Sequence, residues 1–114
     1  MDKRRATMGV ADSIPGPLLD QVVSVFHPRR VILFGSRAKG EARADSDYDL
    51  VVVLDDDVSN DQLSSRKRYE AHRGFSSPVD ILPCRESVLT ERARAIGSFA
   101  HTVLTEGVVV YERS

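Results

Sequence analysis

The sequence predicts a single α/β (α+β) domain in which helices pack on a small mixed sheet of three to four strands. Two patterns predict this fold class: short, β-branched apolar runs of strand length alternate with longer segments whose apolar residues recur at helical spacing. The length of 114 residues also suits one compact domain. We expect the folded domain to span residues 15–114, after a flexible N-terminal tail over residues 1–14.

The elements follow from periodicity and from residues that break helices and strands. In chain order we predict a helix over 18–26, a strand over 31–34, a short helix or turn over 37–43, a strand over 49–54, a helix over 60–73, a strand over 79–82, a helix over 87–106 and a strand or extended tail over 108–111. Pro28 and Pro83 end the elements before them. Ser59 or Asn60 is the expected helix cap, and Gly97 is an expected kink or break in the last helix.

The composition excludes several classes of protein. Sixteen basic and 17 acidic side chains give a formal charge of -1, which argues against a protein that coats nucleic acid with a basic surface. Cys84 is the single cysteine, so no internal disulfide forms, and this fits a reducing compartment. No apolar run approaches the roughly 20 residues that cross a bilayer. No apolar segment of a signal peptide follows the basic residues near the start, so we expect a cytoplasmic protein.

A glycine and a serine, Gly35 and Ser36, follow the first predicted strand directly. Free backbone N–H groups and a hydroxyl at a strand end are the groups that phosphate oxygens need. Glycine matters there because a β-carbon would hold a phosphate away from the backbone. Taken alone, the dipeptide favours an ordinary tight turn, and only together with the acids that follow does it indicate a phosphate-binding turn.

Three carboxylates, Asp47, Asp49 and Asp80, lie in or next to the second and third strands. Asp47 and Asp49 alternate at a strand entrance, so their side chains leave on one face of the sheet. They repel each other unless a cation lies between them, and Mg²⁺ prefers a few carboxylates together with substrate phosphates. Asp80 lies in an apolar strand, where a buried carboxylate must be paired or bind a metal.

If the two strands are neighbours, the three carboxylates predict a cation site beside the phosphate turn. That layout is the one that two-metal phosphoryl chemistry requires. Taken alone, Asp47 and Asp49 would also fit a turn and helix-cap pair. Asp80 would also fit a solvent-facing position on an edge strand. The order and spacing of the pieces together favour the cation site.

These pieces resemble a known family. Gly35-Ser36, ten intervening residues and then Asp47-Tyr48-Asp49 are similar to the Gly-Ser-x10-Asp-x-Asp signature of the nucleotidyltransferase superfamily, which includes DNA polymerase beta. Gly-Ser-Arg-Ala-Lys-Gly leading to Ser-Asp-Tyr-Asp-Leu-Val-Val looks like the minimal nucleotidyltransferase (MNT) group, and like the MntA-type antitoxins of HEPN/MNT toxin–antitoxin pairs. The resemblance covers most of the chain and implies the nucleotidyltransferase fold.

The resemblance also implies an activity and a set of site residues. The activity is transfer of a nucleotidyl group from a nucleoside triphosphate, usually ATP, with release of pyrophosphate. By this analogy Asp47 and Asp49 hold two Mg²⁺ ions against the triphosphate. Asp80 binds one of the ions and takes the proton of the acceptor hydroxyl, and Gly35 and Ser36 grip the terminal phosphates. Arg37 either adds charge at that point or is solvated, and we place it outside the catalytic set.

Larger members of this family carry further domains that bind the acceptor, for which this length leaves no room. By resemblance, the leading hypothesis is an MNT-type antitoxin that transfers AMP from ATP to a hydroxyl of a small helical HEPN-type toxin. Two other functions stay open: the catalytic subunit of a small-molecule (aminoglycoside-like) nucleotidyltransferase, and a non-catalytic antitoxin that acts by binding. Direct binding to nucleic acid is disfavoured because no basic stripe with interleaved aromatic residues is present.

The other reactive residue types carry no pattern of a site. His27, His72 and His101 are scattered, and we expect surface or helix-end positions rather than zinc ligands. Cys84 is expected to be a small core or surface residue. Exposed apolar positions on the helix over 87–106 predict association with a second copy or with a partner.

Overall fold

A computed structural model of the chain describes residues 14–40 and 46–113. Within those ranges the chain forms four strands, four α-helices and one 3-10 turn at Asn60–Leu63. In chain order the elements are α1 (Gly16–Phe26), β1 (Arg30–Phe34), β2 (Tyr48–Leu54), α2 (Ser65–His72), β3 (Val79–Arg85), α3 (Glu86–Arg92), α4 (Phe99–Glu106) and β4 (Val108–Glu112). The predicted fold class is confirmed, and residues 1–13 of the expected tail lie outside the described ranges.

The four strands form one mixed sheet in the order β3-β2-β1-β4. β1 pairs antiparallel with both β2 and β4, and β2 pairs parallel with β3. The parallel pair needs a crossover, which the 3-10 turn and α2 supply. β3 and β4 are therefore the edge strands, and β2 lies inside the sheet.

Helices cover both faces of this sheet. On β2, Leu50, Val52 and Leu54 face the core that α1 completes, while Val51 and Val53 pack on the opposite face in a second cluster with residues of α3 and α4. Since side chains alternate along a strand, Asp49 projects on the same face as Val51 and Val53. Asp49, the predicted site residue on β2, therefore lies on the α3–α4 face of the sheet. It lies near the start of β2, before the residues that pack under those helices.

The third strand runs further than its proline predicted. β3 continues through Pro83 to Arg85, and Pro83 lies opposite Val52. The prediction that Pro83 stops the strand was wrong because β3 is an edge strand, where the missing N–H does not interrupt pairing with a second neighbour.

Two predicted helices are shorter than expected. The helix expected over 60–73 begins as a 3-10 turn, and α2 starts only after Ser64, whose hydroxyl accepts a hydrogen bond from the Lys67 N–H at 3.2 Å. The helix expected over 87–106 is two helices, because α3 ends at Arg92 and Ser98 caps α4. Gly97, the expected break, has φ +89° in the turn between them.

Ion pairs hold the end of β2 that lies away from Asp49. The carboxylate of Asp55 accepts hydrogen bonds from Arg29 at 3.1 Å and from Arg113 at 2.7 Å. These bonds, that of Arg113 first, lower the pKa of Asp55 below its ordinary value. Asp55 thus connects the residues next to β1 and β4 with the end of β2.

The three histidines lie at helix ends, as the sequence predicted. His27 follows α1 in a left-handed conformation with φ 48°, His72 is the last residue of α2, and His101 lies in the first turn of α4. Cys84 lies half-buried on β3, and burial raises the pKa of its thiol. In the described ranges, no helix has the length and apolarity needed to cross a membrane.

Candidate active site

β1 ends in a tight turn that starts at Gly35. The Gly35 carbonyl accepts hydrogen bonds from the N–H groups of Ala38 at 3.1 Å and Lys39 at 3.3 Å. Gly35 has φ +78°, in the left-handed region where glycine avoids the strain of a β-carbon. Ser36 follows it in the turn and is half-buried. The turn predicted over 37–43 is thus present up to residue 40, and its remainder lies outside the described ranges.

The turn lies directly against a carboxylate of the neighbouring strand. Phe34, the last residue of β1, pairs with Asp49 on β2. A β-carbon placed on Gly35 would lie 2.6 Å from Oδ2 of Asp49, well inside any normal contact distance. Gly35 is therefore a glycine for two reasons, its backbone conformation and the approach of the Asp49 carboxylate.

The parallel pairing of β2 with β3 brings the predicted carboxylates together. Asp49 lies directly opposite Asp80 in the register, at the roughly 4.8 Å spacing of adjacent strands. Asp47 immediately precedes β2, two residues before Asp49. Burial raises the pKa of Asp49, and the negative charges of Asp47 and then Asp80 raise it further. The three acids thus interact across one corner of the sheet.

The three acids concentrate negative charge at this corner of the sheet. Among the residues that the structure describes, no arginine, lysine or histidine forms an ion pair with any of the three acids. No three acidic, histidine or cysteine side chains in those ranges converge closely enough to cage a metal ion by themselves. Asp80 is exposed, because β3 is an edge strand. Of the two positions that the sequence left open for Asp80, the structure thus has the solvent-facing one on an edge strand, and β2 and β3 are the neighbours that the cation site requires.

A residue that the sequence left undecided fixes the geometry of this corner. The guanidinium of Arg37 donates two hydrogen bonds to the Ser46 carbonyl, from Nε at 3.1 Å and from Nη2 at 2.9 Å. It also stacks 3.8 Å above the ring of Tyr48. Ser46 and Tyr48 flank Asp47 in the chain, so Arg37 ties the Gly35 turn to the start of β2. Sequence reasoning missed this role because nothing in the motif says that residues 37 and 48 meet.

A groove lies on the α3–α4 face of the sheet, the face to which Asp49 projects. Its volume is about 670 Å³, and it lies above β2 and β3 between α3 and α4. The floor includes Val51 and Leu82, each two residues beyond an acid on the same strand face, which is about 7 Å along the strand. The ring of Phe99 lies at the groove wall and meets Phe34 edge-on, with ring centroids 5.3 Å apart. Phe34 is the strand partner of Asp49, so the groove wall contacts a residue next to the acidic corner.

Solved structures share this fold. A toxin–antitoxin crystal structure with AMP-PNP superposes with a TM-score of 0.58 at 17% identity, over 89% of this chain and 76% of that chain. A candidate nucleotidyltransferase of Sulfolobus solfataricus superposes with a TM-score of 0.53 at 22% identity, over 90% of this chain and 78% of that chain. At these identities the likeness concerns the fold alone.

Sequence comparison identifies the family. A comparison with curated proteins gives no match. The profile of the family "Polymerase beta, Nucleotidyltransferase" matches residues 20–114, which include the Gly35 turn and all three acids. The match spans most of the chain, and the four-stranded mixed sheet agrees with it. The chain therefore belongs to the polymerase beta nucleotidyltransferase family.

Proposed function

We propose that this chain is an MNT-type protein adenylyltransferase that transfers AMP from ATP to a hydroxyl of a partner protein, as the antitoxin of a HEPN-type toxin. The observation that carries the proposal is the corner itself, where a glycine turn at a strand end meets neighbouring acids that form no ion pair within the described part of the chain. The family match and the likeness of fold to a toxin–antitoxin solved with AMP-PNP support it.

The acids fit Mg²⁺ delivered together with a nucleotide. Mg²⁺ is bound in proteins by one or two carboxylates plus substrate phosphates and waters, rather than by a closed protein cage. Asp47 and Asp49 offer oxygen donors on one face, and Asp80 adds another from the neighbouring strand. Burial and then the like charges of Asp47 and Asp80 raise the pKa of Asp49, and a divalent cation would offset the repulsion between these charges. When bound, Mg²⁺ would neutralise charge on the phosphate oxygens.

The turn fits the leaving end of the triphosphate. Gly35 presents no side chain, so phosphate oxygens can approach the backbone of the turn beside the Ser36 hydroxyl. Pyrophosphate is the leaving group, and its bridging oxygen keeps the electron pair of the broken phosphorus–oxygen bond. Gly35 and Ser36 therefore hold the group that departs.

Asp80 fits the role of proton acceptor. It is exposed on β3, on the far side of Asp49 from the Gly35 turn. The acceptor hydroxyl oxygen forms the new bond to the α-phosphorus while its proton passes to the Asp80 carboxylate and then to solvent. The products are the adenylylated acceptor and pyrophosphate, so atoms and charge balance.

The position of the radioactive label tests the proposal. The full chain is incubated with Mg²⁺ and a lysate of its source, once with α-labelled and once with γ-labelled ATP, beside Asp47→Asn. Adenylyl transfer places the α label, and not the γ label, on one small protein, and Asp47→Asn abolishes the signal. A γ label on the acceptor would show phosphoryl transfer instead. An α label on a small molecule would contradict the protein acceptor, and no label despite Mg²⁺-dependent nucleotide binding would indicate a non-catalytic antitoxin.

Arg37→Ala is expected to weaken binding of a non-hydrolysable Mg²⁺·ATP analogue by about tenfold, because two charge-assisted hydrogen bonds and a stacked cation no longer position the turn. Isothermal titration calorimetry measures the affinity. Arg37→Lys is expected to recover little, since lysine lacks the planar fork that bonds Ser46 while stacking on Tyr48. Tyr48→Leu is the discriminating variant. It should weaken binding although Arg37 remains, and unchanged affinity in Tyr48→Leu would instead make Arg37 a direct phosphate ligand.

A further inference from the structure

The helices beside the acidic corner, and the turn between them, carry apolar side chains that are exposed to solvent. On the α3–α4 face, Leu89 and Val103 are buried, but Ile96 is 88% exposed and Phe99 55% exposed. Phe99 and the exposed Val88 line the groove, whereas Ile96 lies outside its lining, in the turn between α3 and α4. Singly exposed apolar residues are ordinary, whereas apolar residues gathered at one groove mark a binding surface.

The groove lies on the acceptor side of the proposed reaction, and this step depends on the proposed function. Phosphoryl transfer needs the attacking and leaving oxygens roughly in line across the phosphorus. The leaving pyrophosphate lies at the Gly35 turn after β1, and Asp49 on β2 lies between that turn and Asp80 on β3. The attacking hydroxyl must therefore come from the β3 side, where Leu82 and Cys84 begin the groove floor.

The lining selects against a charged acceptor. The charged residues of the lining are Glu91 and Arg92, whose opposite charges cancel. Glu91 also forms an ion pair with Arg94 at 3.2 Å. The hydroxyl of Ser98 donates to the Arg92 carbonyl at 3.0 Å and accepts from the His101 N–H at 3.1 Å. A polycation such as an aminoglycoside would find no set of free carboxylates along this groove, and a nucleobase would find few free polar groups.

We infer that this groove docks the acceptor protein through an uncharged, apolar segment that carries or adjoins the acceptor hydroxyl. Apolar side chains of the segment lie on Val51 and Leu82 between α3 and α4, and the hydroxyl reaches Asp80 at the end of the groove. The hydroxyl oxygen then bonds to the α-phosphorus, the proton passes to Asp80, and pyrophosphate leaves toward the Gly35 turn. The groove thereby selects a protein segment over a small cationic acceptor.

A matched pair of variants tests the groove. Val88 on α3 lines it and is 37% exposed, while Leu104 on α4 is 40% exposed and lies outside it. The full chain, with Mg²⁺ and a non-hydrolysable ATP analogue, is titrated by NMR with two short peptides and with kanamycin. The peptides share one tyrosine, flanked by leucines in one and by lysines in the other. Circular dichroism checks that Val88→Lys and Leu104→Lys fold.

The expected result is that the leucine peptide shifts the resonances of Val51, Leu82 and Cys84. It should bind at least about tenfold more tightly than the lysine peptide or kanamycin, the difference made by burying about one leucine side chain. Val88→Lys should weaken the leucine peptide by about tenfold, for the same lost burial, and Leu104→Lys should leave it unchanged.

The inference is overturned if kanamycin binds as tightly as the leucine peptide, if the two lysine variants have equal effects, or if the resonance shifts lie outside the groove. Displacement of the peptide by the nucleotide analogue would also overturn it, by showing that the groove holds the base. Pyrophosphate release with ATP separates the two proposals. If the leucine peptide binds in the groove and no pyrophosphate appears, the docking surface stands and the proposed reaction fails.

Discussion

Asp49→Asn is expected to reduce adenylyl transfer by at least about a thousandfold, the scale on which preorganised electrostatic groups act, while raising the melting temperature of the protein. The two effects have one cause. In the free protein the Asp49 carboxylate lies partly buried beside Asp47 and Asp80, which raises its pKa. The asparagine removes that repulsion and, with it, a ligand of the proposed Mg²⁺ site.

The two ends of β2 show that the Asp49 arrangement is not a stabilising one. At one end Asp55 is paired with Arg29 and Arg113, and its pKa is lowered. At the other end, Asp49 has like charges as neighbours, and its pKa is raised. A fold selected for stability alone would place a cation or a neutral side chain at Asp49, so the repulsion supports the proposed cation site.

The effect on stability has a defined dependence on pH. Because folding raises the pKa of Asp49, the ionised carboxylate costs stability at pH values above its folded pKa. That cost falls as the pH drops through the folded pKa and disappears below the ordinary value for aspartate. The melting-temperature advantage of Asp49→Asn should therefore be present at pH 7 and vanish in acid, as calorimetry across pH measures.

Asp57→Asn is the matched control for Asp49→Asn. Asp57 is exposed and follows the C-terminal end of β2, whereas the acidic corner lies at the start of that strand. The same chemical change there should alter neither transfer nor the pH dependence of melting. Loss of stability in Asp49→Asn at pH 7, or activity equal to that of Asp57→Asn, would contradict the electrostatic account of the corner.

Local patterns in the sequence were enough to predict the strands and to select the candidate site residues on β1 and β2. Apolar runs with β-branched residues predicted β1 and β2. The spacing of Gly35 from Asp47 and Asp49 indicated one site, because the turn follows one strand and the acids begin the next. The neighbour of Asp49 was harder, since the parallel pairing with Asp80 is a long-range contact that no local pattern encodes. The prediction for Pro83 was wrong for a similar reason. The strand tolerates this proline because β3 lies at the sheet edge, and that position is also a long-range feature.

Other features of the site could not be predicted from the sequence, because they depend on side-chain contacts that form only when the chain folds. Arg37 meets Tyr48 only once the turn folds back on β2. The apolar stripe over 87–106 predicted association, but it did not show that Phe99 would lie against the strand partner of Asp49. The stripe alone also could not separate residues that pack, such as Val103, from residues that remain exposed, such as Ile96.

Gly35→Ala is expected to lower transfer by about a hundredfold or more, the cost of moving a reacting group by about an ångström. The new β-carbon would stand 2.6 Å from Oδ2 of Asp49, so the carboxylate must rotate away from its position. The contact is with the end of a flexible side chain, and this displacement costs little stability. The stability loss, about 1–2 kcal/mol, comes instead from an L residue at φ +78°.

Gly74→Ala separates these two contributions. Gly74 has φ +95°, and a β-carbon there meets nothing within 4 Å. Urea denaturation should give the two alanine variants similar losses of stability, whereas only Gly35→Ala should lose transfer and Mg²⁺-dependent nucleotide binding. An equal loss of activity in both variants would attribute the effect of Gly35→Ala to unfolding and not to Asp49.

The double variant Gly35→Ala/Asp49→Asn tests whether the glycine and the carboxylate act together. If the alanine acts by displacing the Asp49 carboxylate, it should cost no further activity once that carboxylate is gone, and the two effects should be strongly non-additive. Additive losses in transfer would mean that Gly35 acts separately from Asp49, through the approach of phosphate to the backbone of the turn. Non-additivity would identify the contact between Gly35 and Asp49 as the point at which the turn and the acidic corner become one site.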